Sequence, residues 1–149
     1  MGGQQSGIKN KMILEFLSVP ENVGLARVAV AAFAAQVDMK LNELEEIKVA
    51  VSEAVSNSII HGYGGDPNGM VRVEVERNEE GLVITVEDKG KGIEDIALAM
   101  QPDYSSSPER MGLGFAFMQS FMDHLDVTSE VNQGTRVRMF KNIEKVVEK

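Results

Sequence analysis

The chain has 149 residues, with 23 acids against 15 bases and a net charge of −8, a length that suits one domain. It contains no cysteine and only two histidines, His61 and His124, which excludes disulfides, iron–sulfur clusters and cysteine zinc sites and argues against a His-rich metal centre. No basic run is available to release counterions from a phosphate backbone, so no direct nucleic acid partner is expected, and a basic protein partner suits the charge better. No stretch approaches about 18 uncharged apolar residues, so neither a membrane span nor a membrane partner is expected, and a cytoplasmic location is the default.

Residues 1–7 show no hydrophobic period and read as a flexible leader. We place the leader at residues 1–11 and a single domain at residues 12–149. Residues 12–18 fit a first strand. Pro20, Glu21 and Asn22 signal a helix start, and Ala-rich sequence carries that helix to about Val37. A second, stronger helix is predicted over residues 41–62, where Leu41, Leu44, Ile47, Val51, Ala54 and Val55 recur at helical spacing. Gly62 ends it, and residues 64–69 form a turn-rich loop.

Residues 70–78 and 82–88 alternate apolar and charged side chains and read as a hairpin. Each strand has one wet face, as in an antiparallel sheet covered by helices on the other side. Residues 89–111 read as a long loop with a short helix near 94–100, of a length that serves as a lid. Residues 112–124 read as a helix with Phe117, Phe121 and Leu125 on one face. Short strands follow at 125–130 and 135–140, and a helical tail at 143–149. Lys141 and Lys145 read as solvated charges, and the Met and Phe residues between Met111 and Met122 as core. Strands and helices do not alternate as βαβ units, which leaves a two-layer α/β sandwich.

Several short patterns carry chemistry. Glu53 and Asn57 are four residues apart on the second helix, so they share a face, with His61 one turn further on. Alone, this is most often a solvated polar stripe. Asp88-Lys89-Gly90-Lys91-Gly92 follows a strand directly. Its carboxylate can accept from an exocyclic amine such as that of adenine, and its glycines admit a planar ligand; alone, it is a plain turn. Gly112-Leu113-Gly114-Phe115 opens a helix whose first N–H groups favour an anion. No Walker A loop and no dinucleotide fingerprint is present. What joins these pieces is their order: ExxxN on a helix, DxGxG after a strand, a lid, GxGF on a helix, then Gly134-Thr135 before a strand.

That ordered set resembles the Bergerat-fold ATPases, the superfamily of gyrase B, Hsp90, histidine kinases and MutL. Within it the chain is most similar to the anti-sigma serine kinases. Ala26-Arg27-Val28, the Ser52–Asn57 run with His61-Gly62-Tyr63, and Asp66-Pro67-Asn68-Gly69 resemble the sporulation branch. The resemblance implies an α+β fold: a two-layer sandwich with a mixed, mostly antiparallel sheet and helices on one face. It implies ATP or ADP as ligand, with Mg²⁺ held by Asn57, and Glu53 as the base that takes a serine proton. Nucleotide contacts are implied for Asn57, His61, Asp88, Gly90, Gly92, Ile93, Arg110, Gly112, Leu113, Gly114, Phe115 and Thr135, and a partner-facing role for Arg27. The implied partners are the sigma F subunit of RNA polymerase, a serine of the anti-anti-sigma factor SpoIIAA, and a second copy of the chain in a homodimer. The lid reads Tyr104-Ser105-Ser106-Ser107-Pro108, where sporulation relatives carry a Thr-Thr-Lys run, and Val23 stands where they often carry an acid. Two other readings stay open: a nucleotide-gated sigma-binding module with little kinase activity, and a stress-response anti-sigma kinase with a different client.

Overall fold

The computed structural model describes residues 7–101 and 111–143. The expected lid contacts of residues 104–108, Arg110, and the tail after residue 143 lie outside the described residues. In chain order the elements are β1 (Asn10–Leu17), α1 (Glu21–Ala34), α2 (Leu41–Asn57) with a π-helical turn (Ser58–Gly62), β2 (Met70–Arg77), β3 (Gly81–Asp88), α3 (Ile96–Ala99), α4 (Met111–Phe121), β4 (His124–Glu130) and β5 (Gly134–Asn142).

The strands form one sheet in the order β1-β2-β3-β5-β4. The expectation of a mixed, mostly antiparallel sheet is corrected in one respect: every neighbouring pair of these strands is antiparallel. The connection from β3 through α3 and α4 does bring β4 back parallel to β3. However, β5 lies between them and pairs antiparallel with both.

The helices cover one sheet face. Val71, Val73, Val75, Leu82, Ile84, Val86, Val137 and Met139 point from the sheet into the core. There they meet Ile47, Ala50, Val51, Ala54 and Val55 of α2, Ala26 and Val30 of α1, and Phe115 and Met118 of α4. Burying this apolar surface is the main driving force for the fold. The other face is wet. Arg72 reaches Glu15, Glu74 and Glu87 on three strands, Lys11 reaches Glu74 and Glu76, and Arg136 reaches Glu87.

Several local expectations are corrected. β1 starts at Asn10, inside the expected leader. Leu41 is 75% exposed, so the buried stripe of α2 begins after it. The second helix does not stay α-helical to Gly62, because its last turn is π. α4 ends at Phe121, and its buried residues are Gly112, Gly114, Phe115 and Met118. Phe117 is 38% exposed and stacks on Phe121 with ring centroids 6.0 Å apart. Leu125 belongs to β4. Lys141 is 7% exposed, not solvated. Its side chain lies on the inward parity of β5, where Nζ donates to Glu46 Oε1 at 2.9 Å and to the Phe121 carbonyl at 2.6 Å. It thus binds the last turn of α4, where a cation is favoured, to α2.

Candidate functional site

The expected site residues converge where the end of α2, the turn after β3, the start of α4 and the start of β5 meet. Asn57, His61, Asp88, Gly92, Ile93, Phe115 and Thr135 line one cavity there, together with Ala54, Ser58, Gly62, Met111 and Val137. In this conformation the cavity measures about 20 Å³, room for about one water. A wider open groove of about 610 Å³ lies on the wet sheet face, lined by Glu15, Met70, Arg72, Glu87 and Arg136 among others. It shares Asp88 and Thr135 with the cavity but contains neither Asn57 nor His61, so the two faces of the strand ends are distinct surfaces.

One end of the site is set by helix contact. Glu53 and Asn57 share a face of α2 and meet α4 at Gly114. A Cβ on Gly114 would stand 2.8 Å from Glu53 Oε1 and 3.4 Å from Asn57 Nδ2. Only glycine lets the helices approach so closely with both polar side chains between them. The Asn57 amide nitrogen is buried and has no hydrogen-bond partner, a costly arrangement that polar ligands relieve. Gly112 packs on the Gln101 carbonyl, outside the cavity lining, and Leu113 is half-buried beside it.

The other end is built around Asp88. Its carboxylate is 7% exposed and accepts from the Gly90 N–H at 2.9 Å. Burial desolvates this carboxyl and raises its pKa above the usual aspartate value, while hydrogen bonds from Gly90 N–H, the Ser58 hydroxyl and Thr135 N–H pull it back. Gly62 leaves room for it: a Cβ there would lie 2.9 Å from the carboxyl atoms. Gly90 sits against the Gly62 carbonyl, and the Lys91 N–H donates to that carbonyl at 2.8 Å. Gly92 takes φ 77°, a left-handed conformation that favours glycine.

The π turn explains a residue that sequence reasoning missed. In it the Tyr63 N–H reaches back to the Ser58 carbonyl at 2.9 Å, one residue further than in an α-helix. Ser58 is buried against Asp88. Ser129 was missed too. Its hydroxyl accepts from the Ile93 N–H at 2.7 Å, donates to the Gly134 carbonyl at 3.0 Å and lies 2.8 Å from the Thr135 hydroxyl. It thereby joins the β3 turn to the β4–β5 hairpin. Arg27 lies on α1 away from the cavity, where its Nη1 donates to the Ser52 hydroxyl at 3.1 Å.

Comparison with known proteins bears on the same region. Residues 16–141 match the histidine kinase-like ATPase domain family. The chain is 54% identical over 130 residues to a Clostridium beijerinckii anti-sigma F factor, covering 86% of this chain and 91% of that relative. It is 50% identical over 140 residues to a Geobacillus kaustophilus anti-sigma F factor, covering 93% and 96% respectively. A crystal structure of the RsbU and RsbW domains of a Mycobacterium tuberculosis protein superposes with TM-score 0.61 at 15% identity. That match covers 89% of this chain and 32% of that one, and it is a likeness of fold.

Proposed function

The chain belongs to the histidine kinase-like ATPase family and, within it, to the anti-sigma F factors, and from that premise we propose that it is an ATP-dependent serine kinase that also sequesters its sigma factor. The domain is a nucleotide-binding one. In the proposed reading ATP or ADP enters between α2, the Asp88 turn and α4. The observation that supports it is the convergence of Glu53 and Asn57 on Gly114 at one end of the site, with a dry carboxylate, Asp88, at the other.

The donor set fits a Mg²⁺–nucleotide complex. Asn57 would offer its amide oxygen to the ion, and its buried, unpartnered amide nitrogen would donate to a phosphate oxygen. Among the described residues no three His, Asp or Glu side chains converge as a metal site, so the ion would take its remaining ligands from phosphate oxygens and water. Bound there, Mg²⁺ supplies charge neutralisation to the phosphates. Asp88 accepts from the adenine amine, and the start of α4 turns its N–H groups to the phosphates. Glu53 takes the proton of an incoming serine hydroxyl. The serine oxygen bonds to the γ-phosphorus, the bond to the bridging oxygen breaks, and ADP departs. Such chemistry rests on positioning more than on covalent participation.

The proposed substrate is a serine on the anti-anti-sigma factor SpoIIAA, and the proposed client is sigma F of RNA polymerase in a sporulating cell, which places the protein in the cytoplasm. Arg27 would contact these partners from α1, and the working form would be a homodimer. The test mixes the protein with Mg-ATP and the partner and follows serine phosphate by mass spectrometry. Glu53→Ala is expected to lower transfer by about 10²–10⁴-fold while calorimetry still records ATP binding. Wild-type protein that binds ATP yet leaves the partner unmodified would refute the kinase assignment and leave the nucleotide-gated sigma-binding module standing.

A further inference from the structure

The strands β2 and β3 are paired through Arg72 and Glu87. Carried two residues further, the same register sets Met70 opposite Lys89, but these groups do not meet directly. The phenol oxygen of Tyr63 stands between them, donating to the Met70 carbonyl at 2.6 Å and accepting from the Lys89 N–H at 2.7 Å. The ring is held in place: its backbone N–H is fixed by the π turn, and its face lies on Gly69, where a Cβ would collide with it. Tyr63 therefore replaces one rung of the ladder and opens the sheet where Asp88 leaves it.

Three consecutive amides of the turn then have partners. Lys89 N–H goes to the Tyr63 hydroxyl, Gly90 N–H to the Asp88 carboxylate and Lys91 N–H to the Gly62 carbonyl. Tyr63 and Gly62 flank Asp88 from the same π turn, so the distance between the carboxylate and α2 is set by that pair of hydrogen bonds.

We propose that Tyr63 is a positioning residue for purine selectivity, its hydroxyl holding the Asp88 turn at the aperture an adenine amine requires. The proposal rests on the nucleotide-binding reading of Asp88. A carboxylate acceptor rewards a donor at the purine 6-position and repels a carbonyl there, so its placement governs discrimination more than phosphate binding. Removing the hydroxyl leaves the Lys89 N–H and the Met70 carbonyl without their shared partner, which loosens the fork and lets the carboxylate move.

The test is Tyr63→Phe, which keeps the ring. Affinities for ATP and GTP are measured by calorimetry, and amide exchange at Lys89 is followed by NMR in nucleotide-free protein. The expected result is a fall of about tenfold in ATP and ADP affinity, with GTP affinity within about twofold, so the ATP-to-GTP preference drops. Exchange at Lys89 should accelerate, while turnover at saturating ATP stays within about twofold. An unchanged ATP-to-GTP ratio overturns the proposal, whether or not Lys89 exchanges faster, and so does unaltered exchange at Lys89. Wild-type protein that binds neither nucleotide refutes the underlying reading instead. Asp88→Ala, measured alongside, separates the two by removing the acceptor itself.

Discussion

Asp88 pairs dryness with charge, and its pH behaviour follows from that. Its pKa in the folded chain is raised by burial above that of an ordinary aspartate, so folding favours the protonated form. The stability this contributes is fully present below the unfolded pKa and is lost as pH rises through the folded one. Asp88→Asn, which cannot titrate, should therefore gain stability relative to wild type as pH rises from about 4, the ordinary aspartate value, through the raised folded one, measured by urea denaturation. Nucleotide affinity should run the other way. The ionised acceptor is needed, so wild-type ATP affinity should begin to fall at a higher pH than an exposed aspartate would allow, and the Asn variant should bind weakly at every pH. The placement of Glu53, Asn57 and Asp88 around one site was legible because their motifs follow one another in a set order. Ser58 and Ser129 were not, because a hydroxyl gains a role here only once the π turn and the β4–β5 hairpin have placed it. Lys141 was misread although its parity was visible: it follows Val137 and Met139 at every second position, the inward set of its strand.

At the scale of the element, α4 shows what periodicity can and cannot decide. Met111, Leu113, Phe115, Phe117, Met118, Phe121 and Met122 make the helix apolar on more than one side, so a face through Phe117 and Phe121 looked as good as the one through Phe115 and Met118. Gly112 and Gly114 settle the choice, because a helix can press closely on a neighbour only along its small residues. Gly114→Ala tests that contact. The added methyl would stand 2.8 Å from Glu53 Oε1, so the carboxylate or the helix must shift. Phosphotransfer should fall at least about tenfold with the circular dichroism spectrum kept, read in a kinase assay beside a thermal melt. The small cavity adds a further requirement. A purine does not fit in about 20 Å³, so nucleotide entry requires this cavity to widen.

For the whole molecule, the element order was readable from periodicity, and the wet and dry faces of β2 and β3 from alternation. The position of β5 between β3 and β4 was not, since strand order depends on which hairpin edge finds a partner after the crossover. The order leaves β1 at one sheet edge, with Ile13 and Leu17 each nearly half exposed. An edge of this kind is a template for another strand. A two-fold pairing of β1 about Ile13 would set Lys11 of one copy opposite Glu15 of the other, which supports the proposed homodimer. Ile13→Asp places like charges face to face on that axis. Sedimentation should then show monomer with little change in melting temperature, and a variant that sediments as wild type would remove β1 from the interface.

The clamp formed by Lys141, Glu46 and the last carbonyl of α4 also makes the chain its own reporter. A primary amine so enclosed is shielded from acylating reagents, whereas Lys89 and Lys91 at the surface are open to them. In a timed labelling experiment those two should acetylate within the first moments and Lys141 only when α2 and α4 part. Its rate then clocks the breathing of the helical layer, and a slower clock in the presence of ATP would mean that ligand and clamp draw the same two helices together.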